Sequence, residues 1–373
     1  MSNPFSLKVI TDRKNFCNRS EEISDLNAYA ENKTNLVLFS PRKYGKTSLV
    51  KIVQSQLSQK GWISIYADMF GLASVDNLAE RIAKGVYQGL YSRKTAVQKI
   101  ASAIKSFRPV MRPMENGVSI SVESAGTNIF GADLLSKTLE DLGDFIRESG
   151  KKIQIVFDEF QDITELGDPN IEGILRSHIQ QQEVSYFFVG SRRRILLEMF
   201  TDKRRPLFQS AINYPLQPLP DTELAEFIIR KFNSGGKKCS RKFASKIVQA
   251  VSGHPYYSQK LSLFIFNIAE EKVEEKNVEE GLQLLFENES YVFDAILQGL
   301  SPRQISLVKA IAREPSASIM SSNYIAKHGL KSVGGVQAAL KKLFALDYIE
   351  KTKEGTYRIV DPVFEQWLIG QWR

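Results

Sequence analysis

The chain has 373 residues, 43% of them hydrophobic, and a formal net charge of +8 at pH 7. That length and apolar fraction suit two or three domains with real cores and exclude a disordered or fibrous polypeptide. The two cysteines, Cys17 and Cys239, and the three histidines, His178, His254 and His328, have no metal-ligand spacing and cannot build a disulfide framework, so neither a zinc site nor a disulfide scaffold is expected. No run approaches the roughly 18 apolar residues of a membrane span, and the first eight residues lack a secretory apolar region. The expectation is a cytoplasmic protein with no membrane partner.

The first informative element is the apolar run Leu36, Val37, Leu38, Phe39, followed by Ser40, Pro41, Arg42, Lys43, Tyr44, Gly45, Lys46, Thr47 and Ser48 and then by Leu49 to Val53. A strand, a tight loop and a helix start in that order make a phosphate cradle. Backbone N–H groups wrap the β- and γ-phosphates, the lysine ammonium lies between them, and the next hydroxyl holds Mg²⁺. Gly45, Lys46 and Thr47 fit these three jobs. Ser40 stands where the G-x-x-x-x-G-K-[ST] pattern has its first glycine, so the loop keeps one freely rotating residue rather than two. A strand-to-helix turn with a solvated lysine would read the same way if no acidic partner followed.

Up to about residue 214 apolar strands alternate with amphipathic helices, the pattern of a parallel sheet covered on both faces. Residues 105–131 interrupt it. With Arg108-Pro109, Arg112-Pro113 and the alternating Val118 to Val122 they read as an inserted loop carrying a short hairpin, a place for partner contacts or simply a surface loop. The next strand, Ile153 to Phe157, ends in Asp158 and Glu159. In open parallel sheets ligands gather at the carboxyl ends of the strands. Asp158 is therefore expected to hold the metal with Thr47, and Glu159 to orient and deprotonate a water for in-line attack on the γ-phosphate.

A third strand, Val184 to Gly190, ends in Ser191 and Arg192-Arg193-Arg194. Ser191 or Arg192 is expected to contact the γ-phosphate, with Arg192 as a catalytic cation, while Arg193 and Arg194 open a helix on its hydrated side. Arg204 and Arg205, ahead of Pro206, are candidates for an arginine donated across a subunit interface. From 218 to about 295 helical periodicity replaces the strands, with Asp221 expected to cap a helix that buries Leu224, Phe227 and Ile228.

From about 296 the order becomes helix, helix, helix, hairpin, which is winged-helix order. Ser301-Pro302, Ser321 or Ser322, and Ser332 start the helices, and Glu354-Gly355 turns the wing. The net charge is +5 over 296–373 against −2 over 216–295. Gln337, Lys341 and Lys342 on the third helix and Lys351, Lys353 and Arg358 on the wing are candidate DNA contacts. Gly334, Gly335, Ala338 and Ala339 leave that helix poor in base-reading side chains. Docking on a protein, or on the chain's own core, stays open beside DNA.

These segments together resemble the prokaryotic AAA+ ATPases known as the archaeal ATPase family, relatives of the STAND signalling ATPases. The resemblance covers nearly the whole chain through Phe16 to Ile23, the loop Ser40 to Ser48, Asp158-Glu159-Phe160-Gln161-Asp162, Val189-Gly190-Ser191, Arg205 to Phe208, Gly253-His254-Pro255-Tyr256-Tyr257, and Asp361 to Leu368. It implies adenine-side contacts from Asn18 and Arg19, and a phosphate- or adenine-sensing role for His254 and Pro255. Asn18 and Ser40 both stand where that family usually has glycine.

The expected fold is α/β: a parallel-sheet P-loop NTPase core of AAA+ type over 1–215, an α-helical lid over 216–295 and a winged-helix domain over 296–373. The expected function is an ATPase switch that uses ATP and Mg²⁺ and couples the nucleotide state to a partner-binding winged helix, with an oligomeric form left open. The alternative is a winged-helix DNA-binding or adaptor protein with a structural, scarcely hydrolysed nucleotide. A small-molecule kinase fits less well, because lid and winged helix leave no evident acceptor site.

Overall fold

Period-two alternation along the apolar runs sorts their side chains onto two faces of one sheet. The computed structural model describes residues 2–91, 103–115, 117–126 and 128–370. In chain order the elements are α1 (Ser20–Glu31), β1 (Leu36–Phe39), α2 (Lys46–Gln59), β2 (Ile63–Asp68), α3 (Val75–Tyr91), β3 (Phe107–Met114), β4 (Gly117–Ser124), α4 (Gly131–Ser149), β5 (Ile153–Asp158), α5 (Ile171–Ile179), β6 (Ser185–Gly190), α6 (Arg193–Thr201) and β7 (Ile212–Pro215). A five-stranded sheet has the order β2-β5-β6-β1-β7 with every pairing parallel.

Leu36 and Leu38 of β1 and Phe187 and Val189 of β6 face a core built with α1 and α2, through Leu26, Leu49, Val50 and Val53. Val37, Tyr186 and Phe188 face the opposite core, where α3, α4, α5 and α6 contribute Ile82, Leu139, Leu175 and Met199. Both faces are therefore covered, as a parallel sheet requires. β1 lies between β6 and β7, although β2, the strand after β1 in sequence, lies at the far edge beside β5. That crossover leaves the carboxyl ends of β1, β5 and β6 next to one another.

The insertion is better ordered than its sequence suggests. β3 and β4 pair antiparallel over eight residues each, from Phe107 opposite Ser124 to Met114 opposite Gly117. Phe107, Ile120 and Val122 are buried in the core shared with α3, so the ribbon's root is part of that core rather than a surface loop.

The chain forms two compact units. One comprises Val9–Arg42 and Lys46–Leu216; the other comprises Lys43–Gly45 and the stretch from Gln217 onward, with the amino-terminal segment up to Lys8. In the second unit four helices come first: α7 (Asp221–Ser234), α8 (Arg241–Ala250), α9 (Pro255–Ile268) and α10 (Glu275–Gln298). Pro220, not Asp221, is the N-cap of α7, and Asp221 is the first helical residue. The carboxylate thus lies inside the first turn, where the helix dipole favours it. Phe5 of the amino-terminal segment packs edge-on against Phe232 of α7 at 5.1 Å.

The same unit continues with α11 (Pro302–Arg313), α12 (Ser322–Lys327), α13 (Val333–Ala345), the hairpin β8 (Ile349–Lys351) and β9 (Tyr357–Ile359), and α14 (Pro362–Ile369). Ser301 and Gln304 form a capping box, and Ser321 and Ser332 cap the next two helices through Tyr324 N and Gly335 N. This is the winged-helix order. The hydroxyl of Tyr257 on α9 donates to Asp361 at 2.6 Å, and the other oxygen of Asp361 caps α14 through Val363 N and Phe364 N. Phe293 of α10 packs against Phe364 at 5.0 Å and Trp367 at 5.6 Å. The helical stretch and the winged helix thereby share one core. Among the described residues no helix is long and apolar enough to cross a membrane.

Candidate functional site

The loop between β1 and α2 takes its shape from two left-handed residues, Lys43 at φ +61° and Gly45 at φ +88°. Gly45 meets that geometry without strain, whereas a side chain there would cost about 1 kcal/mol or more. Ser40 is not left-handed. The serine therefore occupies the first glycine position of the pattern at no conformational cost, and it is buried at 2% exposure. α2 begins at Lys46, so its first turn, with unsatisfied N–H groups, opens directly from the loop.

Lys46 is buried, and its ammonium donates to Ser40 O at 3.0 Å, Ser40 Oγ at 3.3 Å and Pro41 O at 2.9 Å. Burial pulls its pKa down to about 8, against the opposing pull of Glu159 and Asp158. A desolvated ammonium held only by neutral oxygens has a strong electrostatic preference for an anion beside it. Arg42 and Lys43 are exposed, and Ser48 is turned inward, where its Oγ accepts from Ile10 N at 3.0 Å.

Asp158 closes β5 at 3% exposure. Thr47 Oγ1 donates to its Oδ2 at 2.7 Å, Tyr66 Oη donates to the same oxygen at 2.6 Å, and Glu159 N–H donates to Oδ1 at 3.0 Å. Burial raises the Asp158 pKa, and the Tyr66 and Thr47 hydrogen bonds work against that rise. The hydroxyl and carboxylate predicted as metal holders are thus in direct contact. Among the described residues no group of three or more His, Cys, Asp or Glu could hold a metal ion by itself. One carboxylate beside one hydroxyl suits Mg²⁺, which keeps waters and takes phosphate oxygens rather than an all-protein cage.

Glu159 follows in a left-handed conformation, φ +49°, which swings its side chain off the strand line. Its Oε2 accepts from Ser191 Oγ at 2.9 Å and from Gln161 Nε2 at 2.7 Å. Ser191, at the end of β6, is therefore aimed at the acidic pair, as its position in the sheet predicts. Gln161 is 1% exposed, and it reaches Glu159 only because residue 190 is glycine. A Cβ on Gly190 would lie 2.0 Å from Gln161 Oε1.

Arg192 is drawn aside. Its guanidinium bonds Asp162 and Glu165, each at 2.6 Å. Asp162 in turn accepts from Gln161 Nε2 at 3.1 Å and from Gly71 N at 3.0 Å. Of the two candidate donated arginines, Arg205 pairs with Glu172 and is partly covered, whereas Arg204 is 88% exposed and pairs with Asp202 at 2.7 Å.

Asn18 and Arg19 are both left-handed, at φ +43° and +68°. Asparagine tolerates this region better than most residues. Arg19 is buried and pairs with Glu22. In the second unit His254 is the buried N-cap of α9, with Pro255 at the first helical position. His254 meets Tyr44 edge-on at 4.8 Å and Tyr257 at 4.7 Å, and the Lys43 ammonium lies 3.9 Å over the Tyr256 ring.

Gln337, Lys341 and Lys342 are exposed on α13 and Lys353 on the wing, while Arg358 pairs with Glu350 across the hairpin at 2.6 Å. Two residues at the acidic centre gave little warning in the sequence. Gln161 is part of the Asp-Glu-Phe-Gln string, but its bond to Glu159 depends on the turn after β5. Tyr66 is an unremarked tyrosine in an alternating strand.

Residues 16–261 match a family described as an ATPase domain predominantly from Archaea, and residues 291–370 match a probable winged helix domain. Among curated proteins none matches the chain. The fold is similar to that of the Walker-type ATPase PABY2304 of Pyrococcus abyssi, with a TM-score of 0.72 at 19% identity over 98% of this chain and 99% of that one. It is also similar to the Aeropyrum pernix ORC2 protein in its ADPNP-ADP complexes, with a TM-score of 0.59 at 14% identity over 98% of each chain. The A. pernix ORC1 protein in complex with DNA gives a TM-score of 0.51 at 14% identity, covering 98% of this chain and 94% of that one. With the phosphate loop, the acidic strand end and Ser191 in one sheet, and with the family match spanning them, the chain belongs to the archaeal ATPase family and carries a carboxy-terminal winged helix.

Proposed function

We propose that the protein is an ATP-hydrolysing switch that couples its nucleotide state to a partner held by the winged helix. The observation that carries this reading is the meeting of Lys46, Thr47, Asp158, Glu159 and Ser191 at the carboxyl edge of one sheet, with the Thr47 hydroxyl on Asp158 and the Ser191 hydroxyl on Glu159.

In this role Lys46 exchanges its carbonyl partners for β- and γ-phosphate oxygens, and the first-turn N–H groups of α2 bind the same phosphates. Thr47 and Asp158 hold Mg²⁺, which offsets charge on the phosphates when bound. Glu159 orients a water and takes its proton, and Ser191 reports the γ-phosphate to that carboxylate. Asn18 and Arg19 are assigned to the nucleotide's adenine side. Asp158 and Lys46 are both poised by desolvation, which is the electrical condition a site for an anion and a cation together requires.

The alternative, a nucleotide kept as a structural ligand, is favoured by one observation: Oε2 of Glu159 already accepts two hydrogen bonds. That arrangement is also what a slow basal rate requires, with a partner or oligomer releasing the carboxylate. For the winged helix, exposed Gln337, Lys341 and Lys342 support an anionic partner such as duplex DNA. Binding to DNA would weaken steeply with salt.

The direct test is binding of a fluorescent ATP analogue with Mg²⁺ to wild type and Lys46→Ala, with turnover recorded in parallel. Saturable binding and turnover that Lys46→Ala removes support the switch. Binding without turnover, with and without duplex DNA, supports the structural ligand.

A further inference from the structure

Tyr66 is two residues from the end of β2, opposite Val156 of β5, so that Asp68 stands opposite Asp158 at the carboxyl edge. Its ring is partly buried against the α1–α2 core, on the side of the sheet that carries Thr47 and Lys51. Two contacts define its place. Its hydroxyl donates to Asp158 Oδ2 at 2.6 Å, the oxygen that also receives Thr47 Oγ1 at 2.7 Å. The Lys51 ammonium, one turn along α2 from Thr47, lies 3.0 Å over the Tyr66 ring centroid. A cation over the face is attracted by the ring's quadrupole, which ties the ring to Lys51.

We infer that Tyr66 is the positioning residue for the carboxylate of Asp158 in divalent-cation binding, with Lys51 fixing the tyrosine ring. This rests on the reading of the site as one for Mg²⁺ and ATP. Asp158 has a short side chain in a buried place, and its two rotations must be stopped if an oxygen is to stay directed at a cation. The Glu159 N–H stops one side. Thr47 donates to the other oxygen, but in the proposed site its hydroxyl oxygen must also face the cation, so its orientation serves two partners. Tyr66 supplies a second donor to that oxygen from β2, outside the phosphate loop, and has no ligand role of its own to satisfy. Partners in this outer position generally contribute 10- to 100-fold to metal affinity.

The variant Tyr66→Phe keeps the ring, the packing and the Lys51 contact and removes the hydroxyl alone. Binding of a fluorescent ATP analogue is measured against Mg²⁺ concentration, and Mn²⁺ binding to the nucleotide-loaded protein is followed by electron paramagnetic resonance. The expected result is a cation requirement about tenfold higher than wild type, with cation-free nucleotide affinity unchanged.

An unchanged cation requirement in folded Tyr66→Phe overturns the inference. So does a loss of cation-free nucleotide binding, which would place Tyr66 with the phosphates instead. Lys51→Met provides a second reading should Tyr66→Phe not fold. A rise in cation requirement supports the inference, and a wild-type requirement in that variant overturns it. Failure of wild type to bind the nucleotide at all would instead overturn the functional reading beneath it.

Discussion

Gln161 Nε2 donates to Glu159 Oε2 at 2.7 Å across a turn in which Glu159 is left-handed. The amide has room to do so because Gly190 has no side chain. Gly190→Ala would place a methyl group 2.0 Å from Gln161 Oε1, in a site where both residues are buried. Overpacking of this kind costs about 1–3 kcal/mol. The expected outcome is a lower denaturation midpoint with an unchanged slope, because the damage is local and the surface exposed on unfolding is the same.

The buried Lys46 makes both stability and nucleotide affinity depend on pH. Its folded pKa, about 8, lies below the ordinary 10.5. The unfolded chain therefore binds more protons between those values, and this group makes stability rise with pH through that window. The cost of keeping it charged is fully present below about pH 8. Nucleotide binding follows the opposite course, since phosphate attracts only the ammonium. Affinity is expected to fall about tenfold from pH 7 to pH 9, as the charged fraction falls to roughly a tenth. Isothermal titration in buffers of different ionisation enthalpy should show proton uptake on binding above pH 8. A flat affinity and no uptake would show that Lys46 stays charged.

The link between α9 and the winged helix is equally specific. Asp361 is half-buried and depends on Tyr257 for one of its hydrogen bonds, and desolvation raises its pKa. Tyr257→Phe removes that donor while its ring packing survives, leaving a half-buried carboxylate short of one partner. A loss of about 1–3 kcal/mol is expected. It should appear in hydrogen exchange as faster opening of α14, with little change in the sheet of the other unit. Equal loosening of both units would contradict the assignment of this bond to the second unit's core.

Breaking the proposed metal pair has a separable signature. Asp158→Asn keeps the size and the Thr47 contact but removes the negative charge. Nucleotide binding should lose its response to Mg²⁺ while retaining cation-free affinity, and chelator added to wild type should reproduce that state. If Asp158→Asn responds to Mg²⁺ as wild type does, the carboxylate has no part in holding the cation.

Elements defined by local pattern were legible in the sequence. The apolar runs at 36–39, 153–158 and 185–190 are strands because each is short, bounded by turn residues and buried on both faces. Ser301, Ser332 and the pair Ser321-Ser322 announced their helices because capping is a matter of three or four residues; of that pair Ser321 is the cap. Asp221 was misplaced by one position, because an acidic residue after proline serves a first turn as readily as a cap.

Side chains brought together by crossovers were harder to read. Asp158 and Thr47 were paired in advance because each belongs to a motif whose chemistry needs the other. Tyr66 belongs to no motif. Its contact with Asp158 arises from the register of β2 on β5, which places Asp68 opposite Asp158 and which no local pattern encodes. Arg192 was expected at the phosphates, yet Asp162 and Glu165 lie close enough to hold its guanidinium. The depth of the β3–β4 ribbon was also hidden, because the alternation at 118–122 indicates a strand but not the core shared with α3 that its root joins.

The central claim is that Glu159 activates water for attack on the γ-phosphate. The most direct measurement is turnover and retained nucleotide in wild type and Glu159→Gln, purified side by side with Mg²⁺, with and without duplex DNA. Loss of a general base generally costs about 10²- to 10⁴-fold. The account predicts a loss of that order in Glu159→Gln, with ATP still bound and intact. Turnover in Glu159→Gln equal to a measurable wild-type rate would remove Glu159 from the chemistry. Equal and negligible turnover with nucleotide bound in both would contradict a hydrolysing switch.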